Sequence, residues 1–291
     1  MSVSASGSEA ENPVITSSAP GSLMITGEHA VLHGARSLVG AVDQRVQVQL
    51  TPRPDRQVEI YSALGRRQTA LDAPDASPPF TFIGRALSSL GAGCPTGFRL
   101  DITADMPPDV GLGSSSAVTV ATLAALHALR KETPTREALH AEALALVRGV
   151  QGAASGSDLA ASVWGGVLLY TQAPAVLARH LQFPGISLVY AGYKTPTAEV
   201  IRRVEARRAT VADGFCDLYH RMDACSVAAN EAFAMGDWQG LAGTLAQGQA
   251  LMEELGVCDD TLTDIIRRLK GQPHITASKI SGSGLGDGVL A

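Results

Sequence analysis

The 291-residue sequence predicts an α/β protein with a domain break near residue 178. Three observations predict it. Short stretches alternate apolar and polar residues with the period of a half-buried strand: Val46, Val48 and Leu50 around Gln47 and Gln49, and Phe98, Leu100 and Ile102 between Arg99, Asp101 and Thr103. Longer stretches free of Pro and Gly, Ala117–Arg130 above all, read as helices. Between strand patterns at Val167–Tyr170 and Ser187–Ala191, Thr171–Pro184 is irregular. The length suits one large domain or two of ordinary size.

Hydrophobic residues make up 45% of the chain and aromatics 4%, so the core must be built from Ala, Val, Leu and Ile. The net charge of −5, without a Lys/Arg block, argues against nucleic acid or an anionic membrane as the main partner. No stretch reaches ~18 uninterrupted apolar residues, the length of a membrane span. Cys94, Cys216, Cys225 and Cys258 show neither CxxC pairing nor metal spacing, and read as reduced, mostly buried thiols of a cytoplasmic enzyme. Met1–Ser18 is small and polar, has no signal-peptide core, and reads as a disordered tail.

Taken in order, Leu23, Met24 and Ile25 form a short strand ended by Gly27-Glu28-His29. Strands follow at Leu38–Val42 and Val46–Leu50, then short ones at Val58–Tyr61 and Thr69–Leu71. Asp72–Pro79, with three prolines, is a loop and Phe80–Leu90 a helix. Arg136–Val150 is helical, and Asp158 starts another short helix, a position at which an aspartate is often only a cap. His127 falls inside a helix and reads as a satisfied core or surface histidine rather than a ligand. Lys194 and Thr195 stand at the start of a helix running to about Ala209, and Phe215–Met235, Trp238–Leu255 and Asp259–Lys270 are three more. Asn230, on the first of these, faces either the site or solvent. Ile275–Ile280 is a strand leading into a glycine-rich end.

The stretch Asp105–Arg130 organises the rest. Pro107 and Pro108 fix φ and forbid helix; Gly111 and Gly113 admit close approaches; Ser114 is a suitable N-cap for the helix that follows. A glycine loop that feeds free N–H groups onto a helix N-terminus is an anion site, and phosphate is its natural guest. It is not a Walker A loop, because no Gly-Lys-Ser/Thr follows.

Pro107-x-x-x-Gly111-Leu112-Gly113-Ser114-Ser115-Ser116-Ala117 resembles the central ATP motif of the GHMP kinases, the superfamily of galactokinase, homoserine kinase, mevalonate kinase and phosphomevalonate kinase. Two further motifs occur in the right order. Pro20, Gly21, Gly27, Glu28, His29, Ala30, Val31 and Gly34 match the N-terminal signature of mevalonate kinases, and Lys279, Gly282, Gly284, Gly286 and Asp287 correspond to the superfamily's third motif. Gly152–Gly166 resembles the Ser-Gly-x-Asp stretch. The resemblance implies a two-domain α/β (α+β) fold: a mixed-sheet ATP-binding domain over residues 19–178, a ferredoxin-like α+β domain over 179–291, and the active site in the cleft. It implies Asp158 as the group that takes or steers the acceptor's hydroxyl proton. Pro107, Gly111, Leu112, Gly113, Ser114, Ser115, Ser116 and Lys279 would bind ATP, and Ser115 would also meet magnesium. Glu28, His29, Lys194, Thr195, Gly282, Ser283 and Gly284 would line the acceptor pocket. The implied reaction is ATP-dependent phosphorylation of mevalonate by a monomer or homodimer. Phosphomevalonate kinase or another small-alcohol or sugar kinase is the runner-up, and a nucleotide-binding pseudokinase is the alternative of another class.

The sequence departs from the pattern in four places. Ser22 stands where the family has a lysine, Val147 where it has a magnesium-binding glutamate, Ser283 where alanine is usual, and Leu285 where glycine is. Glu142 is not one helical turn from Val147 and does not simply replace that ligand. Family members continue for a further strand and helix beyond the third motif, whereas the sequence stops at Ala291, so a short or shortened member is expected.

Overall fold

The computed structural model describes residues 1–6, 13–107, 110–210 and 212–291. Pro108, expected to stiffen the glycine loop, lies outside them. The chain forms two compact units, each built from several segments. The first comprises Met1–Gly21, Val42–Pro107 and Gly113–Gly165; the second comprises Ser22–Ala41, Pro108–Leu112 and Gly166–Ala291. Segments from the N-terminal half thus belong to the second unit, together with everything from Gly166 on.

In the first unit the strands run in the order β1 (Ser2–Ser6), β2 (Val14–Thr26), β3 (Ser37–Pro52), β6 (Phe98–Ala104), β4 (Gln57–Ser62), β5 (Gly65–Ala70). The sheet is mixed, because β4 pairs with β6 in parallel while β3 and β6 are antiparallel. The alternation behind the prediction is the burial pattern itself. Val46, Val48 and Leu50 are buried with Gln47 and Gln49 exposed, and Val48 and Leu50 sit opposite Ile102 and Leu100. The expected tail is corrected: Ser2–Ser6 pairs antiparallel with Val14–Ser18, and Ile15 and Ser17 are buried. A strand whose backbone groups are satisfied by a neighbour needs little hydrophobicity of its own.

Helices α1 (Thr81–Leu90), α2 (Ser114–Leu129), α3 (Arg136–Gln151) and α4 (Ser157–Trp164) complete this unit. α2 is apolar nearly all round and is accordingly buried on nearly every face. Ser17 Oγ donates to the Ala121 carbonyl at 2.7 Å, which pins α2 to the sheet. α2, α3 and α4 pack on one another.

In the second unit, residues 37–40 of β3 pair with β7 (Val167–Tyr170), which pairs with β8 (Val176–His180). β8 lies inside the stretch expected to be irregular; its half-exposed pattern carries no strong apolar signal. A separate antiparallel sheet has the order β10 (Lys279–Ser281), β11 (Gly286–Leu290), β9 (Leu188–Lys194). Helices α5 (Thr197–Thr210), α6 (Ala212–Met235), α7 (Trp238–Leu255) and α8 (Asp260–Lys270) belong to this unit. Val200, Val204, Leu218, Met222, Leu251, Met252, Leu255, Ile280 and Val289 form its core. No helix among the described residues is long and apolar enough to cross a membrane.

Candidate active site

In the first unit Gly113, at φ 64, is the N-cap of α2, and the helix begins at Ser114. The expected Ser114 cap is corrected by one position. Gly113 brings no side chain to the helix end, and Ser114, Ser115 and Ser116 form the first turn; the Ser116 N–H already donates to the Gly113 carbonyl at 3.0 Å, and those of Ser114 and Ser115 precede the first intrahelical bond. A 16-residue helix, about 24 Å long, directs its positive dipole end there. This is a better anion site than a serine cap would leave, because no side-chain oxygen competes for the donors.

Asp158 is the second residue of α4 and is half-buried; the N-cap is Gly156, at φ 92, so Asp158 is not the cap. His140, a residue the sequence did not single out, braces this turn. Its Nε2 donates to the Gly156 carbonyl at 2.9 Å, its ring meets Trp164 edge-on, and burial pushes its pKa below the ordinary 6.5. Val147 is buried in α3. Glu142 is engaged by His127, whose Nε2 lies 2.7 Å from Oε2 while Nδ1 lies 2.8 Å from Glu132. His127 is thus satisfied at both ring nitrogens, and Glu142 is occupied by it. Pro107 lies in this unit, three positions before Val110, where the described loop resumes.

The second unit gathers most of the other expected residues. After β2 the chain turns at Gly27, at φ 86, where a Cβ would collide with the Arg36 carbonyl and Ser37 Cα. Glu28 and His29 follow, both buried. His29 Nε2 lies 2.9 Å from the Ser283 carbonyl. A carbonyl only accepts, so Nε2 carries the proton and Nδ1 is left as the ring's acceptor. Burial pushes the His29 pKa down, against the opposing pull of that bond and of Glu28, which keeps the ring neutral.

Lys279, expected at the cofactor, is paired inside the second unit. It is 1% exposed, and Nζ donates to Glu28 Oε1 at 2.5 Å and to the Ile280 carbonyl at 2.6 Å. Glu28 Oε2 has no partner among the described residues. Beside it is a cavity of about 10 Å³, room for one water, lined by Thr26, Glu28, Cys225, Gly248 and Lys279 among others. Burial pushes the Cys225 thiol up to about 11, so it is inert. Ser281 Oγ donates to the Met24 carbonyl at 2.8 Å, a second stitch between the first and third motifs.

The third motif is a strained turn. Among the described residues the non-glycines with positive φ are His29, Lys131, Leu285 and Asp287, and all but Lys131 belong to this site. Such backbones cost of order 1–3 kcal/mol each and persist only where neighbours impose them. Leu285 is held on both sides, its N–H donating to Val257 at 2.8 Å and its carbonyl accepting from Thr195 Oγ1 at 2.6 Å. Thr195 is therefore a brace of the turn. Ser283 Oγ, buried, has no partner among the described residues. Gly111, at φ 78, lies against the Asp287 carboxylate, and Lys194 Nζ is 3.1 Å from Asp287 Oδ1. Leu112 accepts from the Ser22 N–H at 3.0 Å, and Ser22 is wholly buried. Gly282 and Gly284, at φ 91 and 79, frame Ser283. Asn230 faces neither the site nor solvent alone: its Oδ1 accepts from His180 at 2.8 Å.

Known proteins resemble this chain along its length. The family of the GHMP kinases N terminal domain matches residues 81–166. A mevalonate kinase of Archaeoglobus fulgidus is 30% identical over 271 residues, which span 92% of this chain and 89% of that protein. A mevalonate kinase of Aeropyrum pernix is 27% identical over 282 residues, 94% and 86% of the two chains. Among solved structures, L. major mevalonate kinase in complex with R-mevalonate superposes with a TM-score of 0.77 at 22% identity, covering 99% of this chain and 87% of that one.

Proposed function

Because the chain belongs to the GHMP kinase superfamily and is an ATP-dependent kinase, we propose that the alcohol it phosphorylates is mevalonate, at the primary hydroxyl, giving 5-phosphomevalonate. The observation that carries this reading is the buried Gly27-Glu28-His29 turn and its bond to the Ser283 carbonyl. It offers a neutral imidazole acceptor, a buried carboxylate and a serine hydroxyl, groups suited to a small polyhydroxy acid. Two cations of the same unit near this turn are already engaged: Lys279 by Glu28 and Arg36 by Asp223. A phosphorylated acceptor, which needs two or three charge-assisted bonds, is less well served. The names of the archaeal relatives support the same acceptor.

The residues fit a nucleotide. Gly111 lets the loop backbone pass close to the Asp287 carboxylate, where a Cβ would collide, and Gly113 leaves the first turn of α2 without a side-chain cap. Backbone N–H groups at Ser114 and Ser115 would hold the phosphates, aided by the helix dipole and the Ser116 hydroxyl. For magnesium the protein offers the Ser115 hydroxyl, which is adequate because that ion keeps several waters; when bound, it neutralises phosphate charge. Asp158 steers the acceptor's hydroxyl proton. Phosphoryl transfer passes through a loose transition state, so positioning and charge stabilisation carry most of the catalysis.

The test is ADP release with magnesium-ATP and mevalonate, with phosphomevalonate in parallel. Turnover with mevalonate at the ~1–10³ s⁻¹ ordinary for enzymes is expected. Turnover with phosphomevalonate alone, or with neither acceptor, would overturn the assignment.

A further inference from the structure

Asp287 has no part in the reading above, yet its setting in the second unit is unusual. It is 2% exposed and holds a left-handed backbone at φ 70. Its carboxylate is wedged between two glycine turns. A Cβ on Gly111 would run into Oδ1, and one on Gly282 would come within 2.7 Å of Oδ2. Lys194, at the end of β9 and opposite Gly286 in register, brings Nζ to 3.1 Å from Oδ1.

The pair is lopsided: the Lys194 side chain is 30% exposed and that of Asp287 3%. The ammonium thus has a buried carboxylate on one side and solvent on the other. Oδ1 makes no hydrogen bond among the described residues, so the 3.1 Å contact is an ion pair out of hydrogen-bond alignment. The lysine keeps N–H donors for a second, anionic partner. A carboxylate packed on a phosphate loop would by itself repel the ligand; a cation held at that carboxylate reverses the local sign and is pinned where the anion arrives. Lys279 cannot serve, being sequestered by Glu28.

We propose that Asp287 is a positioning residue that holds the Lys194 ammonium beside Gly111, and that Lys194 is the cation that meets the nucleotide's phosphates there. The proposal rests on the loop being the ATP site and is independent of which alcohol is the acceptor.

The experiment is calorimetric titration of the full chain with ATP and AMP, together with acceptor-dependent ADP release, for wild type, Lys194→Met, Lys194→Arg and Asp287→Asn. Lys194→Met is expected to weaken ATP by about tenfold or more while AMP affinity stays within about twofold, and Lys194→Arg to recover most of the loss. Asn tolerates the left-handed backbone, so Asp287→Asn should fold. It is expected to bind ATP as tightly as wild type or tighter, because a buried negative charge is gone, yet to lose about tenfold in kcat, because the ammonium is no longer held. A purely packing role would lower Tm and ATP affinity together and leave kcat alone; that result overturns the proposal, as does unchanged ATP affinity in Lys194→Met. A wild type that binds ATP but ignores mevalonate refutes the proposed acceptor only, and selective ATP loss in Lys194→Met still upholds Lys194 as the phosphate cation. A wild type that binds no ATP overturns both.

Discussion

Lys279→Met separates what the Glu28–Lys279 pair does for the fold from what it does for the reaction. The two side chains are 2% and 1% exposed, so neither charge has water to fall back on. Removing the ammonium strands the Glu28 carboxylate, whose second oxygen already lacks a partner, and frees the Ile280 carbonyl. Breaking one side of such a buried pair costs about 3–5 kcal/mol, a large share of the roughly 5–15 kcal/mol that holds a domain together. Replacing both partners by apolar groups of similar size is near neutral, so Glu28→Leu combined with Lys279→Met should return to within about 1–2 kcal/mol of wild type. The assay is urea unfolding followed by fluorescence in a Trp164→Phe background, which leaves Trp238, in the second unit, as the remaining tryptophan. ADP release is measured on the same samples. Stability should recover in the double variant while activity does not, because Glu28 would still be missing from the acceptor pocket. A Lys279→Met loss under about 1 kcal/mol would refute the claim that the pair is desolvated. Full activity in the double variant would refute Glu28 as part of the site.

Asp158→Asn should lower kcat by about 10²-fold or more; unchanged kcat in steady-state assays would remove it from the chemistry. Gly111→Ala forces a Cβ into the Asp287 carboxylate at a positive φ, and should weaken ATP binding by about tenfold or more in calorimetry; wild-type affinity would count against the loop's close approach. His29 and His140 both titrate below the ordinary 6.5 because they are buried neutral. The unfolded chain takes up protons as pH falls through 6.5 while the folded chain does not, so their share of stability is complete above that value and is lost below it. Tm measured from pH 7.5 to 5 should fall through that window, less steeply in His140→Gln; an equal slope would show that His140 is not held neutral.

Much of the fold was legible because it is written in local periodicity. β6 and the helices α5 to α8 fall within a few residues of their predicted bounds, while the two strands expected at Leu38–Val42 and Val46–Leu50 are one continuous strand, β3. β1 and β8 were missed because neither carries a buried apolar face, and β11 because Gly286, Asp287 and Gly288 interrupt any pattern. The glycine loop and the Gly27-Glu28-His29 turn announced themselves by residue type. The cap of α2 did not, since a serine and a glycine at its start compete and backbone geometry decides for Gly113.

What the sequence alone determined is the inventory: an α/β chain, a phosphate-type loop before a buried helix, and the ionisable groups at three motifs. Which of those groups face a ligand and which face one another was decided by tertiary structure. Lys279 and Glu28 are 251 positions apart, and no local rule says that they neutralise each other. Nor does any local rule place Asp287 beneath Gly111, or Lys194 beside both. A charge's role depends on its distance to other charges and on the water left around it, and both quantities exist only once the chain has folded back on itself.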